Sequence, residues 1–201
     1  MGFGETNEVS SLTDHRAKQS LARESAILRR ACLFAALAIM ASGPTRASEL
    51  YAGVLAHDID SPLTRGGREG GADFQVGWRG DRIRTLSFIG APSPYVFGSL
   101  HTDGETHFAA AGLSWRIGRQ LFVRPALGIA VHTRSAHGVA NGLRTDLGSR
   151  VLFEPELGIG YQVSELVTVE ASWVHISNAQ LLSRQNPGMD SVGIRLSYRL
   201  P

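Results

Sequence analysis

From Glu49 to Leu200 the chain repeats one unit, a strand-length segment of alternating apolar and small or polar residues followed by a Gly- or Asp-containing break. Successive side chains on a strand point to opposite faces, so such alternation marks strands with one apolar face. Ala109, Ala111, Leu113 and Trp115 alternate with Ala110, Gly112, Ser114 and Arg116. Leu121, Val123, Leu127, Ile129 and Val131 oppose a face that carries Arg124. Phe153, Leu157, Ile159 and Tyr161 oppose Arg150, Glu154, Glu156 and Gly160. The pattern predicts eight strands, at 50–56, 70–78, 94–102, 107–115, 120–131, 148–161, 166–177 and 190–200. No helical period runs longer than a turn or two.

The second face decides between two architectures. Arg124, Arg150, Glu154, Glu156, Glu170 and Arg195 all oppose the apolar stripes. A soluble sandwich would expose them to water, whereas a narrow eight-stranded barrel would enclose and pair them. Closure also removes the unpaired strand edges that hydrocarbon forbids. The connections 116–119 and 162–165 are short, while 57–69, 132–147 and 178–189 are long and polar. That alternation matches short periplasmic turns and longer outer loops. The segment 79–93, with Pro92 and nearby Pro94, fits this phase less well.

The N-terminus tips the balance toward the membrane. Arg29-Arg30 introduces an apolar run from Ala31 to Ala41, within the ~7–15 residues of a signal-peptide core and short of the ~20 of a spanning helix. Thr45-Arg46-Ala47 supplies small residues where a signal peptidase cuts. The expected organisation is an N-terminal extension and signal peptide over 1–47 and one barrel domain over 48–201, all-β, an eight-stranded antiparallel transmembrane β-barrel of the outer membrane. Cys32, the only cysteine, falls in the segment to be removed, so no disulfide can staple the mature chain. The net charge is +2, Lys18 is the only lysine, and no basic run suggests a nucleic-acid partner.

One stretch carries chemistry. The residues His175-Ile176-Ser177-Asn178-Ala179 and, later, Asn186-Pro187-Gly188-Met189-Asp190 bring an imidazole, a hydroxyl and a carboxylate to the facing ends of the last two strands. Serine hydrolysis needs a hydroxyl beside an imidazole, and a carboxylate to orient that imidazole. His175 and Ser177 share the parity of Val167, Val169, Ala171 and Trp173, and Asp190 that of Val192, Ile194 and Leu196. All three are therefore expected on the apolar outer face, near the outer rim and facing lipid, where a charge costs only ~0–1 kcal/mol. The residues alone leave a plainer reading open, since Ser-Asn and Asn-Pro-Gly after a strand are ordinary turn chemistry. His101 and His107 flank a Thr-Asp-Gly-Glu-Thr hairpin, a weak metal pattern. His132 and His137 read as solvated loop residues. Arg65, Arg68, Arg134, Arg144 and Arg184 lie in outer loops, where they are solvated or meet lipid phosphates.

The mature part resembles the lipid A 3-O-deacylases of Gram-negative outer membranes, on His175-x-Ser177-Asn178 with Asn186-x-Gly188-x-Asp190. Ser99-Leu100-His101-Thr102-Asp103-Gly104-Glu105-Thr106 and Ala111-Gly112-Leu113-Ser114-Trp115 add to the likeness. The resemblance implies a barrel whose catalytic residues lie on the outer wall at outer-leaflet depth. It implies hydrolysis of the ester-linked 3-hydroxyacyl chain at position 3 of lipid A, without metal or cofactor. By position, Ser177 would be the nucleophile, His175 the general base and later acid, and Asp190 the orienting acid. Asn178 and Asn186 match the family's asparagines near the oxyanion. The implied partners are lipid A or lipopolysaccharide as substrate and the outer-membrane lipids, with a homodimer left open. Two departures stand out: the family acid is usually Glu, with its Asn one residue nearer the His, and the chain closes on Arg199-Leu200-Pro201 rather than an aromatic residue. A shorter acid must start closer, so a carboxylate oxygen is expected within about 3.5 Å of a His175 ring nitrogen. A non-catalytic barrel (adhesin or structural) and a phospholipid esterase are the competing readings.

Overall fold

A computed structural model describes residues 48–64, 69–133 and 146–200. The expected signal peptide, His137, Arg65, Arg68, Arg134 and Arg144 lie outside the described residues. Eight long strands form: β1 (Glu49–Ala56), β2 (Ala72–Arg79), β3 (Ser93–His101), β4 (Phe108–Ser114), β5 (Leu121–His132), β6 (Val151–Gln162), β7 (Val167–Ile176) and β8 (Met189–Arg199). Each pairs antiparallel with its sequence neighbours, and β1 pairs with β8, so the sheet closes on itself. All eight predicted segments overlap these strands, with no end displaced by more than three residues. Two small elements went unread, a two-residue strand Ile117–Gly118 on the edge of β5 and a 3-10 segment Arg84–Ile89. The latter occupies the awkward 79–93 stretch. It compacts a long turn at the end that otherwise carries short ones, such as 163–166. The opposite end bears 57–71, 133–150 and 177–188 and is the outer one by that asymmetry.

Alternation sorts the side chains as expected. Val76, Leu100, Leu127, Ile159, Ile194 and Leu196 all point outward and stay exposed to what would be lipid. The interior holds buried charges, several of them as ion pairs. Arg195 Nη1 meets Glu156 Oε1 at 2.6 Å, and Arg124 Nε donates to Glu170 Oε2 at 2.8 Å. Arg79 Nη1 reaches Glu49 Oε2 at 3.1 Å. Arg195 also donates to Gln75 Oε1 from Nε and Nη2, at 2.9 and 2.6 Å, and its guanidinium lies 5.2 Å from both the Tyr51 and Phe97 ring centroids. A buried charge is tolerated best when paired and hydrogen-bonded, as Arg195, Glu156, Arg124 and Glu170 are here. Room for large groups comes from small neighbours, since a Cβ on Gly160 would lie 2.2 Å from the Phe122 ring. Toward the outer end apolar side chains join the polar ones, with Leu55, Leu147, Leu152, Val174, Ile176 and Met189 fully buried.

Candidate active site

The β7–β8 ladder places His175 directly opposite Asp190. Residues directly opposed on antiparallel strands have Cβ atoms roughly 4.5–5.5 Å apart, close enough for their side chains to bond. Here His175 Nδ1 lies 2.6 Å from Asp190 Oδ1. Both residues have the outward parity of Trp173 and Val192, the next pair on the same face of the ladder. The Trp173 and His175 rings are near-parallel, with centroids 6.0 Å apart. Strand β7 ends at Ile176, yet the ladder runs one residue further. Ser177 N donates to Phe153 O at 3.0 Å, and Phe153 N donates to Ser177 O at 2.7 Å. Ser177 thus keeps the face of His175, about 6.6 Å along the strand. His175 Nε2 has no hydrogen-bond partner among the described residues.

The expectation that these groups face lipid directly needs correcting. Asp190 is fully buried, and His175 and Ser177 are each 8% exposed. Residues 59–64 of the first outer loop, 57–71, pack against Asp190 and nearby Gly188. Ile59 N donates to Asp190 O at 2.8 Å, and the Ser61 hydroxyl donates to Asp190 Oδ2. A buried carboxylate is costly unless it is hydrogen-bonded, and the loop supplies cover and the Ser61 hydroxyl as a donor. Gly188 lets the wall close around the imidazole: its φ is +70°, and a Cβ there would lie 2.9 Å from His175 Cε1 and 3.3 Å from Leu63 O. A side chain at this position would be strained and would push on the ring.

Asn178 and Asn186 build the last outer loop. Asn178 N donates to Asn186 Oδ1 at 2.8 Å, and Asn178 Oδ1 accepts from Gln180 N at 2.7 Å. Asn178 Nδ2 donates to Leu147 O at 2.8 Å and to Gln185 O at 2.6 Å. Both of its amide hydrogens are spent, so this side chain holds the loop and has none left for an oxyanion. Asn186 Nδ2 has no partner among the described residues.

A second buried cluster, unread in the sequence, sits behind the first loop on the inward side of the wall. His57 Nδ1 lies 2.9 Å from both oxygens of Asp73, and its Nε2 lies 3.2 Å from Glu69 Oε2. Burial pulls the His57 pKa down, but the two carboxylates outweigh it and raise it from 6.5 to about 9. Ser191 Oγ donates to Asp73 Oδ2 at 3.1 Å. The residues are 12 and 16 positions apart from His57, a spacing that signals nothing on its own. His101 and His107 serve the backbone: His101 Nε2 lies 2.6 Å from Gly70 O, and His107 Nδ1 accepts from His101 N at 3.0 Å. Among the described residues no group of His, Cys, Asp or Glu is arranged to hold a metal. His132 is buried rather than solvated, its Nε2 2.7 Å from Ser149 O.

A closed barrel, apolar outside and charged within, with an acid–imidazole pair on its outer wall, belongs to the class of outer-membrane barrel hydrolases. The family model "Lipid A 3-O-deacylase (PagL)" matches residues 70–199, and the chain belongs to that family. Among solved structures, the crystal structure of the outer membrane enzyme PagL is 19% identical, with a TM-score of 0.56 over 76% of this chain and 99% of that one. A de novo designed transmembrane β-barrel is 12% identical, with a TM-score of 0.47 over 79% and 98% of the two chains. The Yersinia pestis outer membrane protein Ail in a phospholipid bilayer nanodisc is 13% identical, with a TM-score of 0.43 over 77% and 99%. No curated protein matches the chain. The protein is an outer-membrane enzyme, a lipid A 3-O-deacylase that hydrolyses a carboxylic ester of its lipid substrate.

Proposed function

We propose that deacylation at position 3 of lipid A runs through Ser177, His175 and Asp190. Ser177 Oγ attacks the carbonyl carbon of the ester-linked 3-hydroxyacyl chain while His175 Nε2 takes the hydroxyl proton. Asp190, on Nδ1, holds the tautomer that leaves Nε2 free to accept and stabilises the imidazolium that forms. The imidazolium then protonates the departing sugar oxygen, leaving an acyl-serine. A water molecule, activated by the same imidazole, hydrolyses that ester and frees the fatty acid. The observation that carries this reading is the 2.6 Å contact between Asp190 Oδ1 and His175 Nδ1, made by an in-register strand pair. Asn186 Nδ2 or a loop amide is the candidate oxyanion donor; such a donor is worth about 3–4 kcal/mol in comparable enzymes. Trp173 and Val192, the neighbouring pair on the same face, would flank the acyl chain.

Mass spectrometry of lipid A from cells carrying Ser177→Ala or His175→Ala tests the roles. Each variant should fold as a heat-modifiable barrel and release no 3-hydroxy fatty acid, and the double variant should lose no more than either alone. Near-full release by either single variant would refute the assignment. Residues 1–47 are proposed to be removed before assembly. N-terminal sequencing of the membrane-extracted protein should then begin near Ser48.

A further inference from the structure

The acid of the proposed triad has a second carboxylate oxygen, and that oxygen is held from the far end of the chain. Ser61, in the first outer loop, donates its hydroxyl to Asp190 Oδ2 across 129 residues of sequence. The hydroxyl is itself fixed by a tight turn. Leu63 N donates to Ser61 Oγ at 3.0 Å, Ser61 N donates to Thr64 Oγ1 at 3.3 Å, and Thr64 Oγ1 donates to Ile59 O at 3.3 Å. Ile59 N then ties the same turn to the Asp190 carbonyl at 2.8 Å. With Leu63 N–H on the oxygen, the Ser61 proton is left to point at the carboxylate.

We propose that Ser61 is a positioning residue for the deacylation, acting through Asp190; the proposal rests on the triad reading above. The torsion that turns a carboxylate about its last bond is broad, so one hydrogen bond leaves the group free to rock. Two bonds on different oxygens fix its plane. His175 takes Oδ1 and Ser61 takes Oδ2, so the imidazole is held in one orientation and one tautomer. The sealed carboxylate also needs a second donor once water is excluded. The acid here is Asp, one methylene shorter than the usual Glu, and Ser61 is the group that meets it on the side away from the ring.

The test is a set of purified variants in lipid A-containing vesicles. Ser61→Ala should lower kcat roughly tenfold to a hundredfold, as loss of a hydrogen bond to a charged group does, and leave KM unchanged. Ser61→Thr, which keeps the hydroxyl, should recover most of the rate. In an Asp190→Ala background, whose residual deacylation is followed over long incubations, Ser61→Ala should add no further loss, because the group it positions is gone. An unchanged rate for Ser61→Ala, or a full extra loss on top of Asp190→Ala, would overturn the proposal, the second outcome marking a general effect on the loop. Asp190→Ala retaining wild-type activity would instead remove the triad reading, and this proposal with it.

Discussion

Asp190 takes hydrogen bonds at both carboxylate oxygens and at its backbone carbonyl, while its own side chain has no exposure at all. Such a group tolerates little change. Asp190→Asn keeps the shape but favours the wrong imidazole tautomer and cannot stabilise the imidazolium; a loss on the order of 10⁴-fold in kcat is expected, as for the equivalent change in serine proteases. Asp190→Glu should keep a measurable fraction, since a longer side chain can still reach Nδ1 by changing rotamer, although it must push the Ser61 turn outward. Deacylation rates of the two variants, measured side by side, check both statements. That His175 and Asp190 would meet on the outward face could be read from sequence, because parity and strand order are local properties. Ser61 could not: Ser61-Pro62 announces a turn, but nothing local says where the hydroxyl will aim.

At the scale of elements, the strands were legible because each carries its own alternation, and their ends drifted because breaks of Gly and Asp do not fix a boundary. The loops were not legible as structure, since their contacts are made to distant strands. Loop 57–71 is the clearest case, held on one side by Asp190 and on the other by His57 between Asp73 and Glu69. The folded His57 pKa, about 9, lies above its ordinary 6.5. The protonated ring therefore contributes stability fully below about pH 6.5, and that contribution fades as pH rises through about 9. Limited proteolysis of the loop should accelerate across that window, with His101 and Asp58 nearby unchanged in sequence, and His57→Gln should flatten the pH dependence. The last outer loop depends in the same way on Asn178. Asn178→Ala leaves Leu147 O and Gln185 O without their donor, at about 1–3 kcal/mol of local stability. Hydrogen exchange in 177–188 should quicken while the strands remain protected.

Taken whole, the molecule is inverted relative to a soluble barrel, with ion pairs as its core and aliphatic side chains as its skin. Removing one partner from such a core leaves an uncompensated charge. Arg195→Ala, which strands Glu156, should destabilise the barrel by about 3–5 kcal/mol. Arg195→Leu combined with Glu156→Leu should cost less than the single change, and urea unfolding in vesicles reads the difference. The inversion was visible in the sequence, since Arg124, Glu154, Glu156, Glu170 and Arg195 all fell opposite the apolar stripes. Their individual partners were not visible, because Arg195 and Gln75 are 120 residues apart. The outward placement of the His175–Asp190 pair has a kinetic consequence. Substrate reaches the wall by lateral diffusion within its own leaflet, so encounters are set by the mole fraction of lipid A in the surface rather than by its bulk concentration. At constant total lipid A, diluting mixed micelles with inert detergent should slow turnover, and the released fatty acid should accumulate in the same two-dimensional phase as the substrate.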